Sequence, residues 1–337
     1  YLDLLRARGV SADRYDEQAR LAELAFLYGE KAPPSAWARR LAANLMVYPP
    51  RDVIRGDYAM DAFDEVQLEA YLDRLVPENV LVAFSSPTVA ADRTERWFGV
   101  AYALGPVEDD TLLGWLEPEI PAELALPGPN PFVPEHLELV ADGPDDLPDL
   151  DENTPGLALW RLTDTEFGVP RAQVRIRLDA ADAVDTPDEA ALLALYLRLV
   201  DHRLNAYAYP ARLAGLSYGV SSSDGGGLAV TVAGYDDKLP TLLREVLETL
   251  RTAPIDPDRV ALYREELARD WDNALRARPY EQTAFAVRHA LLSPLFTPQA
   301  LAAAVRRADA PMVEAYRDLI LAEVRVELLA TGNLADD

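Results

Sequence analysis

Few residues of this 337-residue chain have the types and spacing that chemistry needs. Cysteine is absent, so neither disulfides nor thiolate metal ligation can occur, which suits cytoplasm or periplasm and chooses neither. The three histidines, His136, His202 and His289, are widely separated, and their spacing shows no convergence on a metal. Each reads as a structural side chain: His136 in a Pro-rich segment, His202 beside Asp201 on a Leu-rich helix, His289 on a helix with Phe285 and Leu292. Gly215-Leu-Ser217-Tyr-Gly219 matches Gly-x-Ser-x-Gly, but a nucleophile elbow needs a strand before the serine and a helix after it. Here the order is reversed, so Ser217 is assigned no nucleophilic role. Gly225-Gly-Gly227 lacks the Lys-Ser/Thr of a phosphate loop and reads as a tight hairpin turn. Arg171, Gln173, Arg175 and Arg177 fall on one face of a strand. They form either a solvated face balanced by carboxylates or a positive strip for acidic substrate groups or polyanions. Tyr207, Tyr209 and Tyr218 read as core and sheet-edge packing or as a peptide-binding wall. Acidic pairs are so abundant that choosing one as an acid/base couple would be arbitrary.

Composition narrows the partners. A net charge of −25 disfavours nucleic acid and anionic membrane surfaces, which both require a positive footprint. The charge reads as a solubility device or, more sharply, as a preference for basic substrates. No run of eighteen or more apolar residues offers a membrane span. Tyr1 is not an initiator Met, and the expectation is that any secretion signal has been removed or lies upstream. Lys31 and Lys238 are the only lysines. At this length, with half the residues hydrophobic, more than one domain is expected.

The elements that must hold these residues follow from periodicity. Residues 1 to about 48 read as helices, with stripes at Leu21, Leu24, Ala25 and Tyr28 and at Trp37, Leu41, Leu45 and Met46, ended by Pro49-Pro50. Asp64 with Gln67 can cap the next helix. Val80-Leu-Val-Ala-Phe84 reads as a buried strand. Glu117 to Pro155 is proline-rich with an acidic run at Asp142–Asp149, which argues against regular structure. Leu157–Leu162 and the alternating Gln173–Leu178 are strands. Thr186-Pro-Asp-Glu189 starts a long helix by a capping box. Leu216, Tyr218 and Val220 pair with Leu228, Val230 and Val232 as a hairpin, and Leu239 to Leu250 recur at helical spacing. Further helices start at Asp256-Pro257, near Tyr280–Leu292 and at Thr297-Pro298.

An internal echo divides the chain. Glu314-Ala-Tyr-Arg-Asp318 repeats Glu69-Ala-Tyr-Leu-Asp73, and Val324-Arg-Val-Glu-Leu328 repeats Val80–Phe84, at an offset of roughly 245 residues that suits a domain-sized repeat. The fold class is α+β: two similar domains, the first lacking its front half, each an antiparallel-rich sheet with helices layered on one face. The expected limits are 1–116 for the rear of one domain, 117–155 for a linker and 156–333 for the next domain.

Leu204-Asn-Ala-Tyr-Ala-Tyr-Pro-Ala-Arg-Leu-Ala-Gly-Leu-Ser-Tyr218 resembles the C-terminal half of the pitrilysin/insulinase family of zinc metallopeptidases, and Gly234-Tyr-Asp-Asp-Lys238 follows at the family's spacing. Pro77-Glu-Asn79, Arg93–Gly99, Asn130-Pro-Phe-Val-Pro134 and Thr331-Gly-Asn333 extend the resemblance over essentially the whole chain. It implies metallopeptidase-type domains, the rear of the second and most or all of the third, in an enzyme whose two bowl-like halves close on a peptide. It implies that Glu117–Pro155 is the hinge-bearing strap between the halves. The family's zinc site is His-x-x-Glu-His in its first domain, and no histidine here lies in that pattern. No catalytic or metal-binding residue is therefore carried over, and the substrate-binding residues are left unassigned. Zinc is expected in the parent protein and not in this piece. The expected partners are the remaining domains of the same polypeptide and peptide substrates. The resemblance favours a bacterial periplasm. A second reading is an inactive homologue serving as a structural or regulatory partner subunit.

Overall fold

A computed structural model describes residues 1–116, 118–140, 147–164, 166–180, 183–223 and 227–334. Most of the acidic run and the tip of the Gly-rich turn lie outside these. The chain forms two units by internal contact: residues Tyr1–Phe26 with Ala32–Pro129, and residues Leu27–Lys31 with Asn130–Asp337.

The first unit is mainly helical, with α1 (Leu2–Arg8), α2 (Ala12–Leu27, whose last residue falls in the second unit), α3 (Pro34–Asn44), α4 (Glu65–Leu72) and α5 (Asp109–Leu116). The Asp64 carboxylate accepts the Gln67 N–H as the cap of α4. Its ladder among the described residues is the short antiparallel pair β1 (Arg93–Thr94) and β2 (Ala101–Tyr102). Val80–Phe84 forms no strand, contrary to the expectation from its apolar run; Leu81 is 87% and Phe84 77% exposed. A strand needs a neighbour to take its N–H and C=O groups, and among the described residues none lies beside this segment.

The second unit is built on six strands. They are β3 (Asp149–Thr154), β4 (Leu157–Thr163), β5 (Arg171–Asp179), β6 (Ser217–Ser222), β7 (Leu228–Tyr235) and β8 (Arg325–Gly332), in the order β3-β4-β8-β5-β7-β6. All neighbours are antiparallel except β4 and β8, which run parallel. The helices are α6 (Pro187–Leu213), α7 (Leu239–Thr252), α8 (Pro257–Ala274), α9 (Pro279–Leu291), α10 (Pro298–Val305) and α11 (Ala310–Ala322). The fold is α+β.

β3 corrects the expectation that residues 117–155 hold no regular structure. All six of its residues are exposed, and at the sheet edge it pairs only with β4, where a polar strand can leave its side chains in water. A segment this polar shows no apolar alternation to betray it.

Helix starts follow local chemistry. Thr186 Oγ1 accepts the Glu189 N–H while the Glu189 carboxylate takes the Thr186 N–H, a complete capping box. Asp256 and Thr297 cap α8 and α10, each followed by proline. The core forms where Ala172, Val174, Ile176 and Leu178 of β5 and Leu228, Val230 and Val232 of β7 point to the buried face. Leu195, Tyr196 and Leu204 of α6 and Leu242 and Val246 of α7 are buried with them. The Tyr196 hydroxyl donates to the Leu250 carbonyl, which satisfies the one polar atom that this ring brings into the core.

Two outcomes check this account. Leu242→Ala should lower the unfolding free energy of the second unit by about 2–5 kcal/mol in urea titration, while Leu81→Ser should change it by less than about 0.5 kcal/mol. Thr186→Ala should cost about 1 kcal/mol in the same measurement, because it leaves one helix donor without its cap.

Candidate functional site

One end of the large sheet gathers the stretches that stood out in sequence. β5 begins at Arg171, β7 ends at Tyr235 and β8 ends at Gly332, and these three termini lie side by side through Arg171↔Tyr235 and Ala172↔Gly332. Gly332 has φ +117, and a Cβ there would stand 2.4 Å from the Arg171 carbonyl oxygen, so only glycine fits. That closeness lets the Asn333 N–H donate to the same carbonyl at 2.8 Å.

Asn333 is thereby fixed, and its side chain is used at both ends. Its Oδ1 accepts the Val140 N–H at 2.8 Å, and its Nδ2 donates to the Glu138 carbonyl at 2.9 Å and to Asp236 Oδ2. Asp237 Oδ2 accepts the N–H groups of Glu135 at 2.9 Å and His136 at 3.4 Å. Lys238 Nζ lies 3.4 Å from both Asp237 Oδ2 and Glu135 Oε2. Burial pushes the Asp237 carboxyl up, but the Glu135 and His136 donors and Lys238 outweigh it and leave it below the usual range. Asp236 goes the other way: its burial dominates over the Asn333 bond and leaves its carboxyl raised. Further along, Asn130 Nδ2 donates to the Pro210 carbonyl at 2.8 Å, and Phe132, 1% exposed, meets Tyr207 edge-on at 5.4 Å between ring centres.

The result is a clasp. Residues Asn130 to Val140 run as a strap over this end of the second unit, turned at Pro131–Val133 and without regular structure from Pro134 on, held by Asn130, Phe132, Asp237 and Asn333. Asn130-Pro-Phe-Val-Pro134, Leu204–Tyr218, Gly234–Lys238 and Thr331–Asn333 all contribute to it.

The face of the sheet opposite the core is a second candidate. Gln173, Arg175 and Arg177 of β5 share it with Ala229 and Thr231 of β7, Trp160 of β4, and Glu327 and Leu329 of β8, half-exposed or exposed. Arg175, Arg177, Trp160, Thr231 and Leu329 border a hollow of about 670 Å³. Arg175 Nε donates to Gln173 Oε1 at 3.0 Å, and Arg175 has no ion pair among the described residues. Arg177 Nε pairs with Asp179 Oδ1 at 2.6 Å, so the strip is partly neutralised. Arg171 stands apart from the other two: its guanidinium lies 4.8 Å from the Tyr235 ring centre.

The remaining candidates are dispersed. Tyr207 packs on the strap, Tyr209 is exposed on α6, and the Tyr218 hydroxyl donates to Asp201 Oδ1 at 2.8 Å, so the three tyrosines do not form one wall. His202 packs against Tyr263 and His289 against Phe285, each about 6 Å between ring centres, while His136 sits on the strap. Among the described residues no group of three or more His, Cys, Asp or Glu is placed to hold a metal ion. Ser217 opens β6 after α6, with its Oγ 3.5 Å from the Ala233 carbonyl oxygen. The members of the clasp are ordinary amides and carboxylates that nothing marks singly; the stretches that carry the family resemblance are its one visible sign in the sequence.

Residues 26–304 match the family described as the middle or third domain of peptidase_M16. Insulin-degrading enzyme-like 1, peroxisomal, of Arabidopsis thaliana is 34% identical over 288 residues, covering 85% of this chain and 30% of that protein. Insulin-degrading enzyme of Homo sapiens is 30% identical over 338 residues, covering 99% of this chain and 33% of that protein. The chain thus spans about a third of the length of these relatives. The crystal structure of pitrilysin superposes with a TM-score of 0.77 at 23% identity, over 100% of this chain and 36% of that one, and shares the fold. The chain belongs to the peptidase M16 family, of insulinase and pitrilysin type, as a segment matching its middle or third domain.

Proposed function

We propose that this chain is a non-catalytic chamber-wall and hinge-bearing part of an insulysin/pitrilysin-like zinc metalloendopeptidase that degrades peptides in a closed chamber. The observation that carries this reading is the sheet of the second unit, which buries one face under helices and keeps the other accessible around a hollow of about 670 Å³. Trp160 and Leu329 offer apolar contact there, and Gln173, Arg175 and Thr231 offer hydrogen bonds, the mixture that holds a peptide without reacting with it. In this reading zinc and its His-x-x-Glu-His ligands belong to another domain of the parent protein. Closure of the two halves on the strap at Glu117–Pro155 would gate entry and exclude water. The membership of the chain in a peptidase family and its coverage of a third of two insulin-degrading enzymes support the assignment.

The test is zinc content and hydrolysis of a fluorogenic peptide, measured on this chain and on the full-length product. The expected result is a metal-free, inert chain beside a zinc-loaded, active full-length protein. A full-length protein that is also metal-free and inactive would transfer the assignment to an inactive partner subunit. Stoichiometric zinc in the chain itself would overturn both. In the active full-length protein, Arg175→Glu should raise KM for an acidic peptide by roughly 3–10-fold with kcat unchanged, because the wall would contribute binding that is equal in ground and transition states.

A further inference from the structure

We propose that Asn130–Val140 is a releasable strap, and that the clasp of Asn333, Asp237 and Asn130 sets the length of the tether entering the second unit. The inference stands on the clasp geometry and does not depend on the zinc reading.

The anchors are asymmetric. On the sheet side they are fixed whether or not the strap is present: the Asn333 N–H is held by the Arg171 carbonyl, and the Asp236 N–H by the Pro170 carbonyl at 3.3 Å. On the strap side the groups held at Glu135, His136, Glu138 and Val140 are backbone N–H and C=O groups, which water can take over on release. Fully buried apolar side chains in the strap are Phe132 and Pro134; Val133, Leu137 and Val140 are half-buried, and Glu135, His136, Glu138 and Leu139 are exposed. A segment with little buried apolar surface and bonds made mainly to pre-set receptors opens locally, well below the cost of global unfolding.

Release has a geometric consequence. While the strap is clasped, the stretch that follows Pro129 is held to the second unit from Asn130, the later of its two entries into that unit after Leu27–Lys31. Once it is free through Val140, the tether gains up to about 36–40 Å of reach. A connection with two lengths has two effective concentrations for whatever it joins, so the clasp limits the reach of the connection that follows Pro129. Lys238, one of two lysines in the chain, bridges Glu135 to Asp237 at this point and makes the latch sensitive to salt.

Hydrogen–deuterium exchange on the full-length protein tests the proposal. In the unaltered protein the amides of Phe132, Glu135, His136 and Val140 should be protected, yet exchange faster than those of Val174–Leu178 and Val230–Val232. Asn333→Ala should accelerate the strap amides by about ten- to a hundred-fold and leave the sheet amides unchanged. Phe132→Ala, which acts from the strap side and leaves every sheet anchor in place, should do the same. Raising salt to 1 M should accelerate Glu135 and His136 more than Val140. The proposal is overturned if the strap amides are as unprotected as residues 118–126. It is equally overturned if strap and sheet accelerate together in the Phe132 variant, since the strap would then open only with the whole unit.

Discussion

The pairing of β8 between β4 and β5 is the constraint on which the second unit rests. Ala172↔Gly332 through Asp179↔Arg325 on one side, and Leu157↔Val326 through Thr163↔Gly332 on the other, bring the end of the chain into the middle of the sheet. This single placement sets which residues of β5 meet the helices and which remain on the accessible face, because side chains alternate strictly along a strand. It also delivers Asn333 to the point where β5 starts and β7 ends. The core, the open face and the clasp are three consequences of one register.

The clasp shows how a proline-rich segment can be held in place without joining the sheet. Its backbone groups need partners, and side chains supply them where a neighbouring strand does not. Asn333 is suited to this because an amide both donates and accepts, so one residue satisfies a carbonyl and an N–H of the strap together. Asp237 accepts two successive N–H groups, and charge makes those bonds the stronger kind, as its depressed carboxyl reflects. The glycines beside these residues serve approach rather than flexibility. Gly234, at φ +142, would place a Cβ 2.7 Å from the Gly215 carbonyl oxygen, so backbones meet there with no room for a side chain.

The two units differ in a way that the same physics explains. Val324–Leu328 and Val80–Phe84 are similar in wording, yet the first passes into β8 with neighbours on both edges, and the second has no strand beside it among the described residues. Apolar alternation makes a segment competent to be a strand, and only a neighbouring strand makes it one. The exposed Leu81 and Phe84 of the first unit accompany the pairing that this segment does not receive among the described residues.

The sequence by itself determined the features whose partners lie within a few residues. The capping box of Thr186 and Glu189, the caps at Asp64, Asp256 and Thr297, the alternation of β5 and the β6–β7 hairpin were legible because donor and acceptor, or one buried side chain and the next, are close in the chain. It also showed the lack of a His-x-x-Glu-His pattern and, through stretches such as Leu204–Tyr218 and Gly234–Lys238, the family. The tertiary structure alone decided that the polar residues Asp149–Thr154 become an edge strand, that β8 lies at the centre of the sheet, and that Val80–Phe84 has no strand partner among the described residues. It alone joined Asn130, Asp237 and Asn333 into one clasp. The reason is the same each time: these outcomes depend on which distant backbone comes alongside, and no local pattern of side chains records that.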